Sequence, residues 1–175
     1  YVLPGAAPKA YRTVMLDPLV VAIPDNWYPV RNTRGGVGTF PHKLSNSEMQ
    51  HIKDELAGRF RTLFTNVLAD SGYPVVEQPG DDTILVSAGL ADVYMNTPEH
   101  SLAAGTDADR MTLVMDLRDA TTGQLLVRLV DAQSGTMGVL QDPITVTNSA
   151  DYRHAVQAWA QRLRIGLDQM NAKSR

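Results

Sequence analysis

The chain has no cysteine among its 175 residues. That excludes disulfides, thiolate nucleophiles and cysteine-ligated zinc, and it leaves the redox compartment open. Long apolar runs are missing too: no stretch reaches the ~18 residues that a membrane-spanning helix needs. Aromatic residues are scarce, at 6%, so each large ring matters to a core or a surface. Dense basic runs are also lacking. With 16 bases, 19 acids and a net charge of −3, the chain does not carry the electrostatic footprint of a nucleic-acid binder. It contains no internal repeat and no low-complexity segment.

What is present fits one globular domain, because 43% of residues are hydrophobic, ample for a core and incompatible with global disorder. The charge is unevenly spread: residues 65–125 hold 10 acids against Arg110 and Arg118, whereas both flanks are mildly basic. A solvated surface is the default reading of such a bias, and an acidic face for a basic partner is the sharper one. The chain opens Tyr1-Val2-Leu3-Pro4-Gly5, with no initiating Met and no signal peptide, which points to residues removed upstream.

Residues 1–10, with two Pro, one Gly and three Ala, read as a tail or linker ahead of a single domain over 11–175. Tyr11–Ile23 is rich in β-branched and apolar residues and reads as a strand. Pro18 cannot donate a ladder hydrogen bond, so that strand belongs at an edge or carries a bulge near Asp17-Pro18. Residues 24–44 form the longest irregular stretch and display Trp27, Tyr28, Arg31, Arg34, Phe40 and His42. Loops beyond ~12–15 residues are uncommon in compact domains and often functional.

Ser45 and Glu48 then make a capping box. Met49, Ile52, Leu56, Phe60, Leu63 and Val67 follow at helical spacing to about Ala69, and Ser71-Gly72 ends the helix. Pro79-Gly80-Asp81-Asp82 reads as a turn, and Thr83–Met95 as a strand whose small centre, Ser87-Ala88-Gly89, suits a bulge or a close helix. Residues 110–131 alternate apolar and polar types around Thr121-Thr122-Gly123, which marks a hairpin with a type I turn and a bulge. That register sets Leu117 opposite Val127, Met115 opposite Leu129 and Asp116 opposite Arg128 as a cross-strand ion pair. A short strand is expected at Ile144–Thr147. Asn148 or Ser149 can cap a last helix carrying Tyr152, Val156, Trp159, Leu163, Leu167 and Met170 on one stripe. The order β-α-β-β-β-α predicts an α+β two-layer sandwich, with a mainly antiparallel sheet of about four strands and both helices on one face.

Chemistry-bearing constellations are few. His51 and Glu55, at i and i+4 with Asp54 beside them, have metal-ligand spacing but no identifiable third ligand, so they read as a solvated helix face. His154 reads as surface. His42 and His100 have no sequence-local partner, and no nucleophile motif of the Gly-x-Ser-x-Gly type occurs. Arg34-Gly35-Gly36-Val37-Gly38-Thr39 lacks the Lys and the immediate helix of a phosphate loop. Asp107, Asp109, Asp116 and Asp119 lack the ligand spacing of a calcium loop and read as surface carboxylates. Trp159 reads as core. Trp27-Tyr28 with Arg31 and Arg34 are of the types enriched at interface hot spots, and they form the candidate binding surface, against the plainer reading of rings that plug their own core.

Four stretches resemble the bacterial lipoproteins grouped as domain of unknown function 3313: Val14-Met15-Leu16-Asp17-Pro18-Leu19-Val20; Pro79-Gly80-Asp81-Asp82-Thr83-Ile84-Leu85-Val86 with Ala91-Asp92-Val93; Asp119-Ala120-Thr121-Thr122-Gly123-Gln124-Leu125-Leu126 with Val130-Asp131; and Trp159-Ala160-Gln161-Arg162-Leu163-Arg164. The resemblance implies an envelope lipoprotein of Gram-negative bacteria, on the periplasmic side and anchored at the outer membrane by a lipid on an upstream Cys. It brings no catalytic or binding residues. The expected function is therefore a non-enzymatic interaction module, with no cofactor, no metal and no nucleic acid, and with an envelope protein or surface component as partner. The alternatives are a small-ligand carrier, which needs an apolar cavity between helices and sheet, and an enzyme with a dispersed site using His42 or His100.

Overall fold

A computed structural model describes residues 9–23, 45–91, 110–134 and 150–173. The chain runs β1 (Thr13–Leu16), β2 (Val20–Val21), α1 (Asn46–Asp70), β3 (Thr83–Ala91), β4 (Arg110–Asp119), β5 (Leu125–Ser134) and α2 (Ala150–Lys173). The α+β expectation holds. The sheet has five strands in the order β1-β3-β4-β5, with β2 also on β3. The expected strands at Ile144–Thr147 and beyond Ala91 fall outside the described residues.

The first expected strand is split where Pro18 sits. Leu16 lies opposite Val86 and Val20 opposite Gly89, so Asp17, Pro18 and Leu19 face only Ser87 and Ala88. That extra residue is a bulge, needed because Pro18 has no amide for the ladder. Both pieces run parallel to β3, and the 25 residues of α1 supply the crossover that parallel neighbours require. The free side of β1 is partly closed: the Val14 amide donates to the Pro74 carbonyl at 3.1 Å, and the Val76 amide to the Val14 carbonyl at 2.8 Å.

The rest of the sheet is antiparallel, and the hairpin has its expected register: Leu117 opposite Val127, Met115 opposite Leu129, Asp116 opposite Arg128. Gly123 has φ 70°, the left-handed geometry that makes glycine favourable there. The register shifts between Leu117 and Arg118, leaving Leu126 as the bulged residue, and it is buried.

In α1, the Glu48 amide donates to Ser45 Oγ at 3.2 Å and the Ser45 amide to Glu48 Oε2 at 2.9 Å, completing the capping box. At the other end Gly72, at φ 84°, lets the Tyr73 amide reach the Leu68 carbonyl at 2.9 Å. The buried stripe corrects the sequence reading. Ile52, Leu56, Phe60, Phe64 and Leu68 are buried, while Leu63 and Val67 are only partly so. The contact follows the four-residue ridge of the helix, as in helices that cross their support at an angle. Phe60 and Phe64 stack with ring centroids 4.1 Å apart. On α2 the expected stripe is buried from Tyr152 to Leu167, and Met170 packs at its margin.

Ile84, Val86, Ala88 and Leu90 of β3, with Met111, Leu113, Met115 and Leu117 of β4, form the sheet's buried face, and the helices pack on it. The helices run parallel to each other. Tyr152, at the start of α2, donates to the Leu56 carbonyl in the first half of α1 at 2.8 Å. Asp168, near the end of α2, accepts from Tyr73 just beyond α1 at 2.7 Å. The domain thus has two poles. The upper pole holds the starts of both helices and Ile23, Ala91, Arg110 and Ser134, which flank the segments outside the description. The lower pole holds Lys9–Arg12, the 71–82 connection, the 120–124 turn and the end of α2.

Candidate functional site

Asp119 needs a correction. It is 4% exposed, not a surface carboxylate. Its Oδ1 accepts the amides of Thr121 (3.0 Å) and Thr122 (2.8 Å) and the Thr122 hydroxyl (3.1 Å). Its Oδ2 accepts Lys9 Nζ at 2.8 Å and the Tyr11 hydroxyl at 3.1 Å. Burial alone pushes its pKa up, but Lys9, Thr122 and Tyr11 outweigh that and hold it well below the usual carboxylate range. Tyr11 is pushed up to about 12, by burial first and then by this bond. The Tyr11 amide and carbonyl both bond the Asn171 side chain at 2.8 Å. Sequence reasoning missed the hub because two of its partners, Lys9 and Tyr11, lie 110 and 108 residues away.

Other polar residues are also engaged in holding elements together. Asp131 on β5 accepts the Trp159 indole N–H at 2.7 Å and an Arg162 N–H from α2. Asp116 accepts Arg128 at both oxygens, 2.6 Å each, and Arg118 at 3.1 Å. The Arg128 bond is the first cause of its lowered pKa. Ser87 donates to Asp17 at 2.5 Å across the β1–β2 bulge. Thr83 pairs with Thr13 at 2.7 Å and accepts the Gly80 amide at 2.8 Å. The Asp-Pro, Gly-Asp-Asp-Thr, Asp-Ala-Thr-Thr-Gly and Trp-Ala-Gln-Arg stretches thus supply the fasteners of the fold.

One concavity stands apart from these fasteners. A groove of about 500 Å³ opens between the middle of α1 and the start of α2, lined by His51, Asp54, Glu55, Gly58, Arg59, Thr62 and Leu63 of α1 and by Tyr152 and Arg153 of α2. Parallel packing of the two helices makes it, and Gly58 borders its open space, where a Cβ would meet nothing within 4 Å. Arg59 Nε lies 3.4 Å from Glu55, and Gln50 donates to Asp54 at 2.7 Å. Asp54 and Glu55 balance Arg59 and Arg153, so the lining suits a neutral or zwitterionic group better than a strong anion. His51 and Glu55 do share this groove, but among the described residues no three His, Asp or Glu side chains could hold a metal ion. The cavity expected of a carrier would lie between helices and sheet, and this groove has no strand residue in its lining. Sequence spacing could place His51, Asp54 and Glu55 on one face, but not bring Tyr152 and Arg153 to them.

The second exposed surface is the sheet face away from the helices. Register aligns Val20, Gly89, Val114 and Val130 in one row across it. Val20 is 69% and Val130 64% exposed. Trp27, Tyr28, Arg31 and Arg34, with His42, His100, Asp107 and Asp109, lie outside the described residues. His154 is exposed on the first turns of α2. No described helix is long and apolar enough to cross a membrane.

Known proteins place this architecture. A Xanthomonas campestris protein described by the family model DUF330 is 14% identical, with a TM-score of 0.50 over 97% of this chain and 92% of its own, and so shares the fold. A minor lipoprotein from Acinetobacter baumannii is 14% identical at TM-score 0.40, over 93% of this chain and 94% of its own. The PelC dodecamer from Paraburkholderia phytofirmans is 13% identical at TM-score 0.42, over 86% of this chain and 91% of its own. No curated protein matches. A family model matches residues 1–163, nearly the whole chain, and the protein belongs to that family, the proteins of unknown function DUF3313.

Proposed function

We propose that this domain is a non-enzymatic interaction module of a bacterial envelope lipoprotein, held on the periplasmic side at the outer membrane, with a partner that is an envelope protein or surface component. The observation that carries this reading is a division of labour between the described carboxylates and the upper pole. Asp116, Asp119 and Asp131 are committed to joining elements of the fold. Ile23 and Ser45, the flanks of the segment bearing Trp27, Tyr28, Arg31 and Arg34, sit at the upper pole with the start of α1. Large rings and arginines on one segment are the composition of interface anchors, and a rigid scaffold that presents loops from one end is a common binding arrangement.

The test is the double variant Trp27→Ala with Tyr28→Ala in the full-length protein. It should lose capture of the partner in intact cells while its thermal midpoint stays near that of the parent. Unfolding of the variant would mean that these rings are core and would remove the interface reading.

A further inference from the structure

We infer that the groove between the middle of α1 and the start of α2 is a binding site for a short peptide with free termini, of the dipeptide class. The site is separate from the partner surface proposed above and does not rest on it. Its charges are sorted by sign along the groove. Asp54 and Glu55 stand about one turn before Arg59 on α1, and all three line it. Arg153 comes in from α2 directly after Tyr152, whose hydroxyl donates to the Leu56 carbonyl at 2.8 Å. From Asp54 to Arg59 the helix advances about 7 Å, at ~1.5 Å per residue. Two residues of extended peptide span about 7 Å as well. A dipeptide can therefore set its ammonium against Asp54 and Glu55 and its carboxylate against Arg59 and Arg153.

These groups are open to a ligand. Arg153, Asp54 and His51 are exposed, and Arg153 and His51 have no hydrogen-bond or ion-pair partner among the described residues. Glu55 and Arg59 are each 41% exposed and meet only through Nε, at 3.4 Å. That contact is long, and it leaves the terminal nitrogens of the Arg59 fork for a second carboxylate. The lining argues against other ligand classes. Leu63 is its one large aliphatic side chain, too little for a lipid tail. Its one aromatic ring, Tyr152, is 1% exposed and offers no face on which a sugar could stack. Two acids set against two arginines suit the two ends of a zwitterion and favour no multiply charged ion. The volume of about 500 Å³ falls in the range of small-ligand sites.

The probe is alanyl-alanine, titrated into the isotope-labelled 175-residue chain and followed by backbone amide chemical shifts. Saturable shifts at Asp54, Gly58, Arg59 and Arg153 are expected. N-acetyl-alanyl-alanine and alanyl-alanine amide each lack one terminal charge and should bind about tenfold more weakly, the loss of one charge-assisted hydrogen bond. Arg153→Gln should weaken alanyl-alanine by a similar factor and leave the affinity for the amide unchanged. Gly58→Leu should fill the groove and abolish binding, with a thermal midpoint at or above the parent's, because leucine favours a helix more than glycine does. No saturation by about 20 mM, well above the millimolar range of weak binding, overturns the site. So does equal affinity for the zwitterion and both capped forms, or an Arg153→Gln variant that binds alanyl-alanine as tightly as the parent. A folded Gly58→Leu variant with undiminished binding overturns it as well; if that variant does not fold, Arg153→Gln decides.

Discussion

The indole N–H of Trp159 and the carboxylate of Asp131 meet at 2.7 Å, joining α2 to the last strand of the sheet. Trp159 is fully buried, and a buried indole donor without an acceptor is costly. The pair therefore fixes where along β5 the helix sits, and Arg162, one turn on from Trp159, binds the same carboxylate.

Replacing Trp159 by Phe should lower the unfolding free energy by about 2 kcal/mol, from the lost bond and the smaller ring. Trp159→Ala should cost about 4 kcal/mol, in the range for deleting a buried aromatic. Urea unfolding followed by circular dichroism reads both. A Phe variant as stable as the parent would show that the Asp131 contact does not position the helix.

The parts of the fold legible in the sequence were those set by near neighbours. The hairpin register followed from alternation and from one glycine at position 123, and the structure has it residue for residue up to the bulge. The start of α1 was written in Ser45 and Glu48. Its buried stripe was legible only in its first half, because the angle at which a helix crosses a sheet decides whether Leu63 or Phe64 turns inward. Asp119 was misread for a related reason. Its turn partners are local, but the residues that bury it, Lys9 and Tyr11, are 110 and 108 positions away. The groove depends on α1 and α2 lying side by side, which no local pattern encodes.

Asp119 gives the stability a definite pH dependence. Its folded-state pKa is depressed, while the unfolded value is about 3.9. The folded state therefore holds fewer protons over that interval. Its contribution is complete above the unfolded value and is lost as the pH falls below about 4 toward the folded value. Asp116 shifts in the same direction. Asp119→Asn should cost about 2 kcal/mol at neutral pH, the scale of a hydrogen bond to a charged group. The gap to the parent should narrow as the pH is lowered from 5 to 3. A gap constant across that range would contradict the assignment.

Tyr11 probes the same cluster from the alkaline side. Its pKa is raised to about 12, against an unfolded value near 10. Its protonated form therefore stabilises the fold fully below about 10, and that contribution is lost as the pH rises through 12. Ultraviolet titration of the parent minus Tyr11→Phe should isolate one ionisation with a midpoint about two pH units above that of a free tyrosine. A midpoint near 10 would mean that the hydroxyl is not held against Asp119.

The central claim, that the upper pole is the working surface of an interaction module, is tested most directly by site-specific photo-cross-linking in intact cells. A photoreactive residue is placed at Trp27 or at Gln78 of the full-length protein, and the adducts are identified by mass spectrometry. The account predicts one reproducible envelope partner captured from position 27 and absent from position 78. Capture of that partner equally from both positions, or from position 78 alone, would contradict it.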